Sequence, residues 1–147
     1  MKIALCMILG NEEAVIKQCL ESFSMAFDQL CAVQAIGSAT PDNTMQIAHD
    51  FCVDRGKVFL PGRYGNRATD WPHVDDFSSA RNLSFQLPTT EWAFWADADD
   101  RVTPSNARFL RESVENAMGI SCIACTYHVG NENLLRNRMV RLAAKPQ

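Results

Sequence analysis

The sequence lacks any apolar run long enough to cross a membrane, and it lacks any run of basic residues. Its formal net charge is -3, which argues against nucleic-acid binding through general electrostatics. It also has no internal repeat, low-complexity tract or linker, and 147 residues with 47% hydrophobic side chains suit one globular domain. We therefore expect a single domain spanning residues 1–147, with no membrane span and no nucleic-acid partner.

The cysteines lack the second Cys-x-x-Cys pair that would complete a zinc site. Cys122 and Cys125 form one such pair, but they lie in a segment with strand character, where alternation would place the two thiols on opposite faces. The other four are surrounded by apolar residues that suit a core: Cys6, Cys19, Cys31 and Cys52. We expect neither a disulfide nor a zinc site, and reduced cysteines predict a cytoplasmic location.

Strand-like and helix-like patterns alternate along the chain. Residues 3–9 form a continuous apolar run that predicts a strand buried on both faces, and Asn11 is a good N-cap for the helix expected after it. Further strands are predicted at 30–36, 58–60, 92–96, 120–129 and 136–142, with helices between them and a long loop at 61–76. This order predicts an α/β domain with a mainly parallel sheet.

Polar residues follow three of these strands. Asn11, the pair Gly37 and Ser38, and the acidic run at 97–100 all come where a strand ends. In open α/β sheets, ligands bind beyond the carboxyl ends of the strands. The sequence therefore predicts that these three loops converge on one ligand-binding edge.

The stretch AFWADADD places three carboxylates directly after the most apolar strand. Asp97 and Asp99 project to the same side of an extended segment and offer hard oxygen ligands for Mg²⁺ or Mn²⁺. An EF-hand is excluded, because its sixth and twelfth positions would be Val102 and Arg108 instead of glycine and glutamate. A haloacid-dehalogenase phosphatase, whose first aspartate is a nucleophile, stays open as an alternative although Arg101 stands at its fifth position.

Four motifs occur in a consistent order: GNEE, GSATPDNT, DDFSSARN and FWADADD. Together they resemble the motifs of family 2 glycosyltransferases. The resemblance implies a GT-A fold, a Rossmann-like, mainly parallel α/β sheet with helices on both faces, here shortened. It also implies a UDP-sugar donor, with UDP-glucose and UDP-galactose as candidates, a Mn²⁺ or Mg²⁺ cofactor, and transfer with inversion.

The resemblance also assigns site residues by position. It implies that Asp99 and Asp97 bind the metal, and that the donor is contacted by Arg81, Asp97, Asn11 and backbone groups around Leu5. Gln34 is a further candidate, whose side-chain amide could contact the nucleotide. One departure is Ala35, which stands where the family usually has an aspartate that contacts the nucleotide.

A second departure concerns the general base that inverting transfer needs. In the family it lies well downstream of the aspartates, so this chain resembles a donor-binding half that is truncated. Candidates for the base are Asp100, Glu132 and His128, with Asp75 and Asp76 also available nearby. The alternative function is a non-catalytic nucleotide-sugar-binding module completed by a partner or by a dimer.

The C-terminal segment predicts self-association. Its apolar residues have no later element to pack against in the sequence: Leu134, Leu135, Met139, Val140 and Leu142. Exposed apolar patches commonly become interfaces, and two-fold dimers are the commonest closed assembly. We therefore expect a homodimer.

Overall fold

Strands and helices alternate along residues 1–67 and 70–142, the part of the chain that the computed structural model describes. The elements are β1 (Ile3–Leu9), α1 (Ile16–Phe23), β2 (Gln29–Gln34), α2 (Thr44–Asp54), β3 (Val58–Arg63), α3 (Phe77–Gln86), β4 (Trp92–Trp95), α4 (Pro104–Glu115), β5 (Cys122–Val129) and β6 (Glu132–Arg141). Each predicted strand and helix is present. Residues 61–63, expected in the long loop, extend β3 instead, because they pair with β2 up to Gln34.

The strands form one sheet in the order β3-β2-β1-β4-β6-β5. The first four are parallel, β6 is antiparallel to β4, and β5 is antiparallel to β6. The prediction of a mainly parallel α/β sheet is confirmed. Parallel strands bring their carboxyl ends to one edge, so the loops after β1, β2 and β4 meet there.

Apolar side chains pack on both faces of the sheet. On one face, Ile3, Leu5, Met7 and Leu9 of β1 join the larger core cluster with residues of α1, α2 and α4. On the other face, Ala4 and Cys6 of β1 belong to a smaller cluster that includes Phe85 of α3. The continuous apolar run of β1 is thus explained by burial on both sides, and helices cover both faces as expected.

The prediction that Asn11 caps the first helix is wrong. Helix α1 begins at Ile16, and its N-cap residue Val15 makes no side-chain capping bond. The Asn11 side chain instead donates to the carbonyl of Thr40 at 2.8 Å and accepts from the N–H of Asp42 at 3.1 Å. Asn11 therefore ties the loop after β1 to the loop after β2.

Strands β5 and β6 form a hairpin that extends beyond β4. The pairing of β4 with β6 runs from Trp92–Arg141 to Phe94–Met139, whereas β5 and β6 stay paired as far as Val129 and Glu132. At about 3.3 Å per residue, the outer part of the hairpin projects roughly 20 Å past the carboxyl end of β4. It therefore stands beside the edge where the loops meet.

The expectation that the C-terminal apolar residues lack packing partners is partly wrong. Met139 is fully buried in the larger cluster, because β6 inserts between β4 and β5. Val140 and Leu142 are half-buried, whereas Leu135 is 71% exposed. Within residues 1–67 and 70–142, helices are too short or too polar to cross a membrane.

Candidate functional site

The carboxyl edge of the sheet is built from loops that bond to one another. The N–H of Glu12, after β1, donates to the hydroxyl of Thr44 at the start of α2, at 2.7 Å. The N–H of Ser38, after β2, donates to the carbonyl of Trp71 at 2.9 Å. Gly37 has a φ of +57°, and a Cβ at that position would collide with the same carbonyl oxygen. Only glycine therefore lets the loop after β3 close over the loop after β2.

The acidic run forms a tight turn at the end of β4. The N–H of Asp100 donates to the carbonyl of Asp97 at 3.0 Å, and the N–H of Asp97 donates to Oδ2 of Asp100 at 2.9 Å. Ala98 is buried, whereas Asp99 is exposed at the corner of the turn. The turn therefore presents Asp99 to solvent and turns Asp100 inward.

Arginines compensate two of the three carboxylates. Nη2 of Arg81, on α3, lies 3.2 Å from Oδ1 of Asp97, and Nη1 of Arg138, on β6, lies 3.1 Å from Oδ2 of Asp100. Arg101 donates to the carbonyls of Ala98 and Asp100 at 3.1 and 2.7 Å. This explains how the chain tolerates adjacent carboxylates at the end of an apolar strand.

Trp95 contacts two of these arginines. The guanidinium carbon of Arg81 is 4.0 Å from the centre of the Trp95 ring, and that of Arg138 is 3.6 Å from it. Both guanidinium groups thus lie within cation–π distance of one indole ring. Cation–π attraction therefore couples the two ion pairs through one side chain.

Glu12 adds a further carboxylate to this edge. Burial raises the pKa of Glu12, and the negative charges of Asp99, Asp97 and Asp42 raise it further. Within the described part of the chain, its Oε2 atom is buried and has no hydrogen-bond partner. Burying a carboxylate oxygen without a hydrogen bond costs free energy. A cation or a donor group of a ligand at this position would therefore stabilise it.

These carboxylates fit a metal that is shared with a ligand. No three His, Cys, Asp or Glu side chains in residues 1–67 and 70–142 lie close enough to hold a metal ion by themselves. Mg²⁺ commonly takes only one or two carboxylates and completes its shell with water and substrate phosphates. The exposed Asp99, the half-exposed Asp97 and the unpaired Glu12 oxygen suit that kind of site.

The structure separates the residues expected to contact the donor. Asn11, Arg81 and Asp97 lie at the carboxyl edge, and Gln34, the last residue of β2, is partly exposed there. Leu5 is fully buried in the middle of β1, paired with β2 on one side and β4 on the other. It is therefore a core residue: neighbouring strands flank its backbone on both sides, and its side chain packs in the larger core cluster.

The candidate bases lie in different settings. Asp100 is 7% exposed and bonded to Arg138, while His128 is exposed on β5 and its ring contacts the side chain of Asn133. Glu132 is exposed at the start of β6, next to the turn of the hairpin. Asp100 and His128 line a cavity of about 660 Å³ together with Asp99, between α4 and the hairpin.

The two aspartates that precede α3 serve the local structure. Asp76 is the N-cap of α3, and its carboxylate accepts from the N–H of Ser79 at 2.9 Å. This bond lowers the pKa of Asp76. Asp75 accepts from the hydroxyl of Tyr64 at 2.7 Å and from the N–H of Arg67 at 2.8 Å.

Sequence reasoning missed Glu12, Trp95, Arg101 and Arg138 as parts of this site. Glu12 stands in the GNEE motif and Trp95 directly precedes the aspartates, so local patterns pointed to both. Arg138 had no such signal, because its partner Asp100 is 38 positions away.

Comparison with known proteins identifies a family and relatives that match most of this chain. The profile of Glycosyl transferase family 2 matches residues 5–145. A TPR repeat-containing protein of Synechococcus elongatus is 31% identical over 101 residues, which make up 69% of this chain and 21% of that protein. The chain thus spans about a fifth of the length of this curated relative.

Solved structures share the fold at low sequence identity. TarS 1-349 of S. aureus in complex with UDP-GlcNAc is 15% identical, with a TM-score of 0.56 over 80% of this chain and 32% of that one. Glucosyl-3-phosphoglycerate synthase of Mycobacterium tuberculosis in complex with UDP is 19% identical, with a TM-score of 0.54 over 82% of this chain and 42% of that one. The chain covers less than half of either structure.

Proposed function

Because the chain belongs to glycosyl transferase family 2, we propose that it binds a UDP-sugar donor for glycosyl transfer, with Mn²⁺ or Mg²⁺ held at Asp99 and Asp97. Its sheet is a shortened GT-A fold. The observation that carries the proposal is the turn after β4. It exposes Asp99 at the carboxyl edge, while arginines form ion pairs with the nearby carboxylates of Asp97 and Asp100. An exposed carboxylate at this edge is where a metal–diphosphate complex would meet the protein.

Each side chain at the edge has a part in this proposal. Asp99 and Asp97 would hold the metal, with the unpaired oxygen of Glu12 available to it or to a donor group of the ligand. When bound, the metal would supply Lewis-acid stabilisation of the departing diphosphate. Arg81 would offer a fixed positive charge to the phosphates. Its partner Asp97 is 48% exposed, so the ion pair lies at the surface that a ligand would approach.

Uridine diphosphate is the first donor group to test. The solved structures with this fold are described in complex with UDP-GlcNAc or UDP. Ala35, at the position where the family usually has an aspartate, is 5% exposed and buried beside the end of β2. Base selectivity therefore has to come from other groups at this edge, such as Gln34 and backbone atoms.

A second candidate function is a nucleotide-sugar-binding module without transferase activity. It is favoured by the state of Asp100, whose carboxylate is buried and bonded to Arg138 and to the backbone of Asp97. A general base has to reach the acceptor hydroxyl, and these bonds occupy Asp100. The phosphatase alternative is set aside, because the matching family is one of glycosyl transferases.

A thermal-unfolding screen tests the proposal. Ligands that bind only the folded state raise its apparent stability, so UDP, UDP-glucose, UDP-galactose and UDP-GlcNAc should raise the melting temperature with Mn²⁺ and not with excess chelator. No shift with any of them would contradict donor binding. Release of UDP from a bound UDP-sugar would then separate the transferase from the binding module.

A further inference from the structure

Arg138 is the extra residue at an irregularity in the hairpin. In the pairing of β5 with β6, Ile123 lies opposite Met139 and Ala124 lies opposite Asn137, so Arg138 has no partner on β5. Bulges of this kind bend a strand and re-aim a side chain, and they are frequent next to functional sites. Arg138 is only 8% exposed, which is unusual for an arginine.

The surroundings of Arg138 fix its guanidinium group. The group stacks on Trp95 and on Tyr127, with 3.6 and 4.4 Å between its carbon and the ring centres. Nη1 lies 3.1 Å from Oδ2 of Asp100 and donates to the carbonyl of Trp95 at 3.3 Å. A planar guanidinium can make these stacked and bonded contacts together, whereas an ammonium group cannot stack in this way.

Asp100 connects the guanidinium of Arg138 to the acidic turn. The carboxylate oxygen that pairs with Arg138 is also the one that accepts the N–H of Asp97. A buried carboxylate without its arginine would be an uncompensated charge next to Asp97 and Asp99, and it would be driven to move towards solvent. That movement would release the bond that closes the turn.

We propose that Arg138 is a positioning residue for the donor site, which acts through Asp100 to hold the turn that presents Asp97 and Asp99. This assignment rests on the proposed function insofar as the ligand is a nucleotide diphosphate with a divalent cation. It gives Asp100 a structural role in place of the role of general base. It also explains why β6 carries an irregularity opposite the end of β4.

The test compares Arg138→Gln with Arg136→Gln, a change at an exposed arginine on the same strand. The first readout is hydrogen exchange at the amide of Asp97, measured by NMR, with the β4 amide of Phe94 reporting global stability. In Arg138→Gln, exchange at Asp97 should speed up at least tenfold relative to Phe94. In Arg136→Gln, it should change less than twofold.

The second readout is calorimetric affinity for UDP with Mn²⁺. It should fall at least tenfold in Arg138→Gln, less in Arg138→Lys, and not in Arg136→Gln. If Arg138→Gln does not fold, Arg138→Lys carries both comparisons, because it keeps the charge and loses the stacking.

The outcomes separate the two proposals. If the wild-type protein fails to bind UDP with Mn²⁺, the proposed function fails, and the exchange of the Asp97 amide alone decides whether Arg138 holds the turn. Unchanged protection of Asp97 in a folded Arg138 variant would overturn the inference. Unchanged affinity in that variant, with a wild type that binds, would overturn it as well.

Discussion

Nη2 of Arg81 lies 3.2 Å from Oδ1 of Asp97, and this ion pair joins helix α3 to the turn after β4. The two residues come from separate motifs of the sequence, FSSARN and FWADADD. Their contact places a positive charge within the acidic edge. It also leaves Asp97 only partly available, since one of its oxygens already has a partner.

Replacement of Arg81 by methionine should weaken binding of UDP in the presence of Mn²⁺ by at least about tenfold. The reason is that a charge-assisted bond to phosphate is lost, which is commonly worth about 1.5–3 kcal/mol. Calorimetry on Arg81→Met and on Arg108→Met, a change at an exposed residue of α4, measures the effect. Equal affinities of the two variants would remove Arg81 from the site.

The thiols should differ strongly in reactivity. Burial raises the pKa of Cys52 to about 11, whereas Cys122 is exposed on β5. The thiolate is the reactive form, so at pH 8 only about one in a thousand Cys52 side chains would be ionised, and reactivity should rise only as the pH approaches 11. Iodoacetamide should therefore label Cys122 in the native protein and Cys52 only after unfolding.

Mass spectrometry after a time course of labelling checks this expectation, with Cys122→Ser as the control. Rapid native labelling of Cys52 would contradict the buried position assigned to it. A disulfide between Cys122 and Cys125 in protein prepared without reductant would contradict the prediction of free thiols.

Two substitutions on β6 should differ strongly in their effect on stability. Met139→Glu places a charge in the larger core cluster and should lower the free energy of unfolding by about 3 kcal/mol or more. Leu135→Glu lies at a position that is 71% exposed and should change it by less than about 0.5 kcal/mol. Urea unfolding monitored by circular dichroism measures both.

The same pair tests the predicted homodimer. If copies associate through the hairpin, Leu135→Glu should shift sedimentation towards the monomer without loss of stability. A wild-type protein that stays monomeric at high concentration would contradict the dimer, and so would a dimer unaffected by Leu135→Glu.

Local patterns in the sequence predicted most of the fold because local physics decides it. The apolar run at 3–9 predicted a strand buried on both faces. The start of α4 is equally local, because the Thr103 hydroxyl accepts from the N–H of Asn106 at 3.2 Å and Pro104 follows at the first helical position. The acidic edge was also predicted, since Asp97 and Asp99 follow a strand directly. In each case the decisive residues lie within a few positions of one another.

The failures have a common cause, which is dependence on distant partners. The side chain of Asn11 bonds residues 29 and 31 positions away, and those bonds replace the cap that the sequence predicted. Met139 is buried only because β6 pairs with β4 rather than lying at an edge. Arg138 reaches the site through an irregularity in strand pairing that no local sequence pattern predicts.

The most direct test of donor binding at the acidic turn is calorimetric titration of UDP in the presence of Mn²⁺ into wild-type protein, Asp99→Ala and Asp54→Ala. Asp54 is an exposed carboxylate at the end of α2, where the chain enters β3 at the opposite edge of the sheet. We expect wild type and Asp54→Ala to bind equally, Asp99→Ala to bind at least tenfold more weakly, and excess chelator to abolish wild-type binding. Undiminished binding by Asp99→Ala, or by the wild type in chelator, would contradict a metal-dependent donor site at Asp99.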